Sequence, residues 1–388
     1  MNLNNLLNKE KIAIVPVGYN RVDSLRRLFS SLLLAQYPNK DVPLYISIDA
    51  SGDEKVYKYV NEFEWPNGDK YVNIQKERLG LRNHIIQCGN LTQYFKAIIL
   101  LEDDIFVSEY FYNYVIEAVN SYYEDDRIGG ISLYRNEMRG NLPIYSIQDG
   151  NDSFLKQSVA SWGECWTDKQ WNGFSEWYRI HQNDDLLSLD MPVYIQKWKK
   201  AWSKFYIAYL IQSNKFFIFP SVSHTTCFSE VGENGSYSST IGQASLLAGP
   251  RKYAFKQFEE LTQYDIYGTN RDIYIWIGIE EDSLCVDFYG ENPNRKHKRF
   301  ILTPSLLPYK VIKSFGLSLF PIELNIKYNM LGKGIYLYDT SIQTKNKRCA
   351  KGLPVSLAYY YLKNFNISLI IRYAISYVYH GIRRKLKF

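Results

Sequence analysis

Three consecutive carboxylates, Glu102, Asp103 and Asp104, interrupt an otherwise apolar run, with Ala97-Ile98-Ile99-Leu100-Leu101 before them and Ile105-Phe106-Val107 after them. Charging a carboxylate in a dry interior is costly, so acidic side chains are rarely buried unless a cation compensates them. Hard oxygen ligands suit Mg2+ or Mn2+, and Mg2+ commonly rests on one or two protein carboxylates while substrate phosphates complete its shell. A strand end entering a solvated turn would give the same residues without the chemistry. Position favours the metal: a continuous apolar run bounded by polar residues reads as a central parallel strand, and ligands bind outside the carboxyl ends of such strands.

The elements that must present this triplet can be read in turn. Ile12 to Val17 predicts a buried first strand, residues 18–21 a turn, and Asp23 or Ser24 the cap of a helix carrying Leu25, Leu28, Phe29, Leu32 and Leu33. Leu44 to Ile48 predicts a second strand, residues 54–63 a helix, 71–75 a third strand and 80–95 a helical stretch leading into the acidic strand. Strands alternating with helices signal βαβ units and an α/β fold with a mostly parallel sheet. An aromatic helix over 109–123 and a strand over 128–133 follow, then an irregular stretch to about 235. The expected division is 1–250 for a nucleotide-binding and catalytic domain and 251–388 for a smaller α+β or helical appendage.

Four features then meet at strand ends: residues 16–21, residues 49–53, the Gly80-Leu81-Arg82 turn and the triplet. Together they describe a nucleotide crevice. Asp49 is suited to accept from a base N–H, Arg21 or Arg82 to face phosphate oxygens, and Asp104 to hold a metal bridging two phosphates. Taken singly, Asp49 reads as a turn or capping residue and each arginine as a solvated charge. No G-x-x-x-x-G-K-[ST], G-x-G-x-x-G, G-x-S-x-G or H-E-x-x-H motif is present.

The segment Val15-Pro16-Val17-Gly18-Tyr19-Asn20-Arg21 resembles the first strand and turn of GT-A glycosyltransferases, and Leu101 to Val107 resembles their acidic metal motif. An E-D-D triplet followed by an apolar residue and an aromatic helix is similar to the N-acetylglucosaminyltransferase I family and related bacterial family-2-like enzymes. The stretch Trp162-Gly163-Glu164-Cys165-Trp166 resembles an acceptor-side segment, and His224 to Phe228 with residues 232–238 resembles a closing loop. The resemblance, over roughly residues 10–245, implies a GT-A fold and transfer of a sugar from a UDP-type donor. It further implies that Asp104 ligates Mn2+, that Glu102 and Asp103 contact the donor, that Asp49 reads uracil, and that Arg21, with Pro16, Val17, Tyr19 and Arg82 around it, holds the donor. Trp162, Gly163, Trp166, His224, Gly235 and Ser236 would serve the acceptor side and the lid. His224 reads equally as a structural, hydrogen-bonded residue.

One departure matters. Where the family carries a W-D-D-W-like patch with a catalytic aspartate, this sequence has Trp198-Lys199-Lys200-Ala201-Trp202. The base that accepts the proton from the acceptor hydroxyl is open among Glu164, Asp168 and Asp190. The expected activity is metal-dependent, inverting transfer to a hydroxyl of a glycan or lipid-linked glycan in surface polysaccharide or glycolipid synthesis. The alternatives are a non-catalytic nucleotide-sugar or glycan-binding protein and a sugar nucleotidyltransferase.

The bulk numbers bound the partners. With 388 residues one catalytic domain plus an appendage is the default. A net charge of +6 is too mild to argue for a nucleic-acid partner by itself. Five widely spaced cysteines without a C-x-x-C pair disfavour a disulfide framework and a zinc site and fit a reducing cytosol. No secretory signal or spanning segment is read from the sequence, and the expected location is cytoplasmic, with peripheral contact to the inner membrane. Ile367 to Tyr379, followed by Arg383-Arg384-Lys385, reads either as a helix lying on an anionic membrane or as a docked helix with a solvated basic tail.

Overall fold

A computed structural model of the chain describes residues 8–136, 138–139, 142–143, 145–199, 201–230, 232, 242–345 and 355–385. The chain divides into two compact units, Met1–Asn141 with Gln148–Gly268, and Leu142–Ile147 with Thr269–Phe388.

The first unit is built on a nine-stranded sheet. Its first half contains β1 (Asn8–Gly18), β2 (Leu44–Ile48), β3 (Lys70–Ile74) and β4 (Phe95–Glu102), in spatial order β3-β2-β1-β4 and all parallel. Register pairs Val17 with Glu102, Gly18 with Ile48 and Ile48 with Ile74, so the carboxyl ends of the four strands finish flush. The intervening helices are α1 (Val22–Leu34), α2 (Glu54–Glu62) and α3 (Leu81–Gly89). Asp53 caps α2 by accepting from the Lys55 amide at 2.9 Å, satisfying one of the orphan donors of the first turn.

The second half adds β5 (Ile105–Val107), α4 (Phe111–Tyr122), β6 (Ile128–Ser132), β7 (Ser153–Lys156), β8 (Glu164–Thr167), α5 (Asp168–His181), α6 (Val193–Gln196), α7 (Trp202–Gln212), β9 (Phe216–Pro220), β10 (Thr225–Cys227) and β11 (Gln263–Tyr264). The whole sheet runs β11-β7-β9-β6-β8-β4-β1-β2-β3. β8 enters antiparallel between β4 and β6, while β10 pairs antiparallel with β5 just beyond the acidic triplet. The stretch expected to be irregular therefore holds much of the sheet. Its strands are only three to five residues long and buried on both sides, so they carry no alternation, and α7 is buried nearly all round, so it carries no stripe.

Side-chain alternation along β4 splits the core into two layers, one on each sheet face. Ile99 and Leu101 join Ile14, Phe29, Phe111 and Val115, whereas Ile98 and Leu100 join Val15, Trp166, Trp171, Phe174 and Tyr206. In the second layer Gly89 lets Trp171 approach so closely that a Cβ would fall 1.9 Å from its ring. The mixed α/β architecture, a large sheet covered by helices on both faces, is the one the alternating pattern predicts.

The second unit contains α8 (Asp272–Ile277), β12 (Leu284–Val286), β13 (Phe300–Thr303), β14 (Tyr309–Phe315), α9 (Leu324–Lys327), β15 (Ile335–Gln343), α10 (Val355–Leu362) and α11 (Ile367–Lys385). Its sheet runs β12-β13-β15-β14. Ile273, Leu302, Phe315, Ile326 and Leu337 form its core with Leu357 and Tyr360 of α10. Among the described residues no helix is long and apolar enough to cross a membrane.

Candidate active site

The flush carboxyl ends of β1, β2 and β4 bring five of the expected residues, Arg21, Asp49, Glu102, Asp103 and Asp104, to one end of the sheet. Arg21 occupies the N-cap position of α1 and turns back across β1 to β4. Its Nε donates to Asp103 Oδ2 at 3.1 Å, its Nη2 donates to Asp103 Oδ1, and its Nη1 lies 3.4 Å from Asp104 Oδ2. This is the forked geometry by which a guanidinium grips a carboxylate. Burial opposes the charge on Arg21, but the bonds to Asp103 and the charges of Asp103, Asp104 and Glu102 outweigh it and hold its pKa above the ordinary value. Burial pushes the Asp103 carboxyl up to about 6 against the pull of Arg21. At neutral pH the two form an ion pair.

Glu102 ends β4 on the same face as Leu100. Burial, with Asp104 and Asp103 nearby, pushes its carboxyl up to about 8. Glu164 of β8 stands opposite Leu100, wholly buried. The Gly163 backbone lies close to its carboxyl, and neither carboxyl oxygen completes a hydrogen bond of ordinary geometry among the described residues. Burial and the neighbouring Glu102 carry its pKa well above the usual carboxylate range. Among the described residues Glu102, Asp103, Asp104 and Glu164 thus cluster at the crevice, with the Arg21 guanidinium bonded to Asp103.

Asp49, just beyond β2, is a hub for the backbone. Its Oδ1 accepts from the amides of Ala50 at 2.9 Å and Leu79 at 2.8 Å, and its Oδ2 accepts from the Gly80 amide at 2.9 Å. Gly80 has φ +74° and opens α3, so Asp49 fixes the start of that helix. A carboxylate offers about four acceptor directions, and three are in use. Around this hub, Pro16 and Val17 are buried in β1, Arg78 lies over the Tyr19 ring at 4.9 Å, and Arg82 lies over the Phe205 ring at 5.0 Å.

The start of the segment expected as the closing loop lies along one side, and it brings in Glu230, which was not among the expected site residues. The Phe228 amide donates to the Asp104 carbonyl at 3.0 Å, and the Glu230 carbonyl lies 3.4 Å from Arg21 Nη1. Arg27 donates from Nη1 and Nη2 to the Glu230 carboxylate at 2.9 and 2.7 Å, and Ser24 donates to it as well. Glu230 is some 200 residues from α1, and only tertiary folding reveals the pairing. Gly235 and Ser236 lie outside the described residues.

Several expected site residues go elsewhere. Asp168 begins α5 beyond Thr167, which pairs with Ala97 at the other end of β4; its oxygens accept from Lys9 at 3.0 Å and Tyr123 at 2.9 Å. Five residues at about 3.3 Å each separate Ala97 from Glu102, so Asp168 is about 16 Å along the strand from the triplet. Asp190 accepts from the Tyr267 hydroxyl in the loop before α6. Trp166 is core, stacked on Tyr206 with centroids 5.6 Å apart and tilted against Trp171 at 5.0 Å. His224 is interior: it stacks on Tyr114 at 4.3 Å, its ring nitrogens meet Ser108 Oγ at 3.4 Å and Tyr253 at 3.2 Å, and burial lowers its pKa to about 3. Trp162 is only partly buried, packed against both core layers and edge-on to the Tyr134 ring at 4.7 Å. Gly163 is required where it is: φ is +107° and a Cβ would lie 2.8 Å from Thr225 Cγ2.

A divalent metal suits this donor set in part. Asp103 is taken by Arg21, while Asp104 and Glu102 offer hard oxygens under an excess of negative charge. Among the described residues no group of three or more His, Cys, Asp or Glu side chains could hold a metal ion by itself. A metal here would need oxygens from a ligand, as a diphosphate supplies.

No protein-family model matches the chain, and no curated protein matches it either. Among solved structures it is similar to S. aureus TarS residues 1–349 in complex with UDP-GlcNAc, with TM-score 0.39 and 10% identity over 57% of this chain and 60% of that one. It is also similar to the mannosyltransferase PcManGT from Pyrobaculum calidifontis in complex with GDP-Man and Mn2+, with TM-score 0.31 and 10% identity over 42% of this chain and 46% of that one. The chain therefore spans well under two thirds of either structure.

Proposed function

We propose that the chain is a glycosyltransferase that moves a sugar from a nucleotide donor, with UDP the expected nucleotide, to a hydroxyl of a glycan, with inversion at the sugar carbon. The observation that carries this reading is the delivery of Glu102, Asp103 and Asp104 by a central parallel strand to the crevice where Arg21 is fixed on Asp103. Asp104 would hold Mn2+ or Mg2+, which supplies positive charge to the departing diphosphate. Arg21 keeps Asp103 ionised and oriented, and Asp49 sets the loop that opens α3 beside the donor. The partly exposed face of Trp162 is the stacking surface for the acceptor sugar.

Glu164 is a positioning residue in this reading, since its carboxyl is wholly enclosed and acts on the crevice through Glu102. That same enclosure favours a second reading, nucleotide-sugar binding without transfer, because it removes Glu164 as the base, while Asp168 lies at the other end of β4 and Asp190 is bonded to the Tyr267 hydroxyl. Calorimetric titration of UDP-sugars and GDP-sugars with and without Mn2+, followed by product analysis, separates the two. Transfer requires Mn2+-dependent binding that Asp104→Ala weakens, together with turnover; unchanged binding in that variant sinks the metal-dependent transferase reading, and no binding of any nucleotide sugar sinks both.

A further inference from the structure

The last described helix, α11, presents a continuous apolar face that no described residue covers. Ile367, Ile370, Ile371, Ile375, Val378 and Ile382 recur at the three- and four-residue spacing of one helix face. Each of them is between 37% and 77% exposed. Arg372, Ser376 and His380 occupy the opposite face together with one apolar residue, Leu369, and Tyr373 and Tyr377 lie on its border at 75% and 69% exposure. No α11 residue joins the core of the second unit among the described residues.

The helix is nonetheless well anchored at its start. Leu357 and Tyr360 of α10 are buried in that core, and the Tyr360 hydroxyl donates to the Leu319 carbonyl at 2.6 Å. Asn366 Oδ1 then caps α11, accepting from the Leu369 amide and from Ser368 Oγ, both at 2.8 Å. An exposed apolar face of this extent marks an interaction surface rather than scatter.

Charge identifies the partner. Residues 340–388 carry ten Lys and Arg and no Asp or Glu, while residues 1–339 carry 36 Lys and Arg against 40 Asp and Glu. A second copy of this segment would meet like charge, and a nucleic acid would leave the isoleucine face in water. A surface that is anionic at its headgroups and apolar beneath satisfies both faces of the helix. The helix lies along such a surface, since Arg372 interrupts the apolar run and no spanning length is reached.

We infer that α11 docks the protein on anionic lipid bilayers, its isoleucine face in the acyl boundary and its tyrosines at headgroup level. The inference stands apart from the transferase reading, because vesicle binding is read without turnover. The test is co-sedimentation of the full chain with vesicles of phosphatidylcholine alone or with about 30% phosphatidylglycerol, at low and high salt. Binding at least tenfold tighter to the anionic vesicles is expected, a factor that about 1.4 kcal/mol, or one to two effective cations, provides. The double substitution Ile371→Asp with Val378→Asp should abolish binding without moving the thermal midpoint, because both side chains are exposed, whereas Ser376→Asn on the polar face should bind normally. Equal binding to neutral vesicles, no binding, or retained binding in the double variant overturns the inference. So does a protein that shifts RNA or forms a dimer through α11 while leaving vesicles alone.

Discussion

Arg21 and Asp103 face each other across the junction of β1 and β4, joined from Nε at 3.1 Å and from Nη2, with Asp103 only 6% exposed. Because β1 and β4 are adjacent and flush at Val17 and Glu102, the turn after one strand is positioned to neutralise the end of the other. The candidate crevice and the carboxyl ends of these two central strands therefore share one ion pair.

Removing one member of a buried pair leaves the other uncompensated, at a typical cost of about 3–5 kcal/mol. Arg21 keeps 22% of its side chain in water, which places Arg21→Met near the lower end of that range. The double variant Arg21→Met with Asp103→Leu should regain most of the loss and still bind no nucleotide sugar. Urea denaturation checks it; a double variant no more stable than Arg21→Met would show that the pair is not what Arg21 contributes.

Glu164 offers the opposite sign. A buried carboxyl without hydrogen-bond partners costs stability, so Glu164→Leu should stabilise the protein by about 1–3 kcal/mol. Urea denaturation reads it; a variant no more stable than the parent would show that the Glu164 carboxyl is satisfied where it lies. Gains in stability bought at the expense of a site are a recurrent pattern.

The parallel half of the sheet was legible because its strands are long apolar runs separated by amphipathic helices, and β2 falls at Leu44–Ile48, the very residues that the pattern marks. The triplet was legible because charge inside such a run has no packing explanation. The antiparallel β8 was not, since four buried residues carry no period and its neighbours β4 and β6 are distant in sequence. For the same reason Asp168 read as a site candidate: the sequence shows its closeness to Trp166 and Glu164 but not that the strand between them carries it to the far end of β4. Glu230 was invisible because its partners Ser24 and Arg27 meet it only through the fold.

The two tryptophans of the Trp162 to Trp166 segment separate packing from recognition. Trp166 is wholly buried among aromatic rings, and Trp166→Ala should cost about 3–5 kcal/mol in thermal or urea unfolding. Trp162 is partly exposed, and Trp162→Ala should cost well under half of that while raising the KM for acceptor and leaving donor affinity unchanged. Reversed effects would place the recognition surface on the other ring.

Two buried histidines set the acid limit of stability. Burial holds His224 near 3 and His84, bonded to Ser47 Oγ at 2.7 Å, near 4, against about 6.5 in an unfolded chain. With each folded value depressed, the native state stays neutral while the unfolded state takes up a proton below pH 6.5. The histidines' contribution to stability is therefore complete above that pH and falls as pH drops towards 4, by about 1.4 kcal/mol per unit per histidine. His224→Phe keeps the ring on Tyr114 and removes one of the two protons. Between pH 6.5 and 5 the variant should lose about 2 kcal/mol less than the parent, read from urea midpoints at fixed m, and parallel pH profiles would show that His224 is not held neutral by the fold.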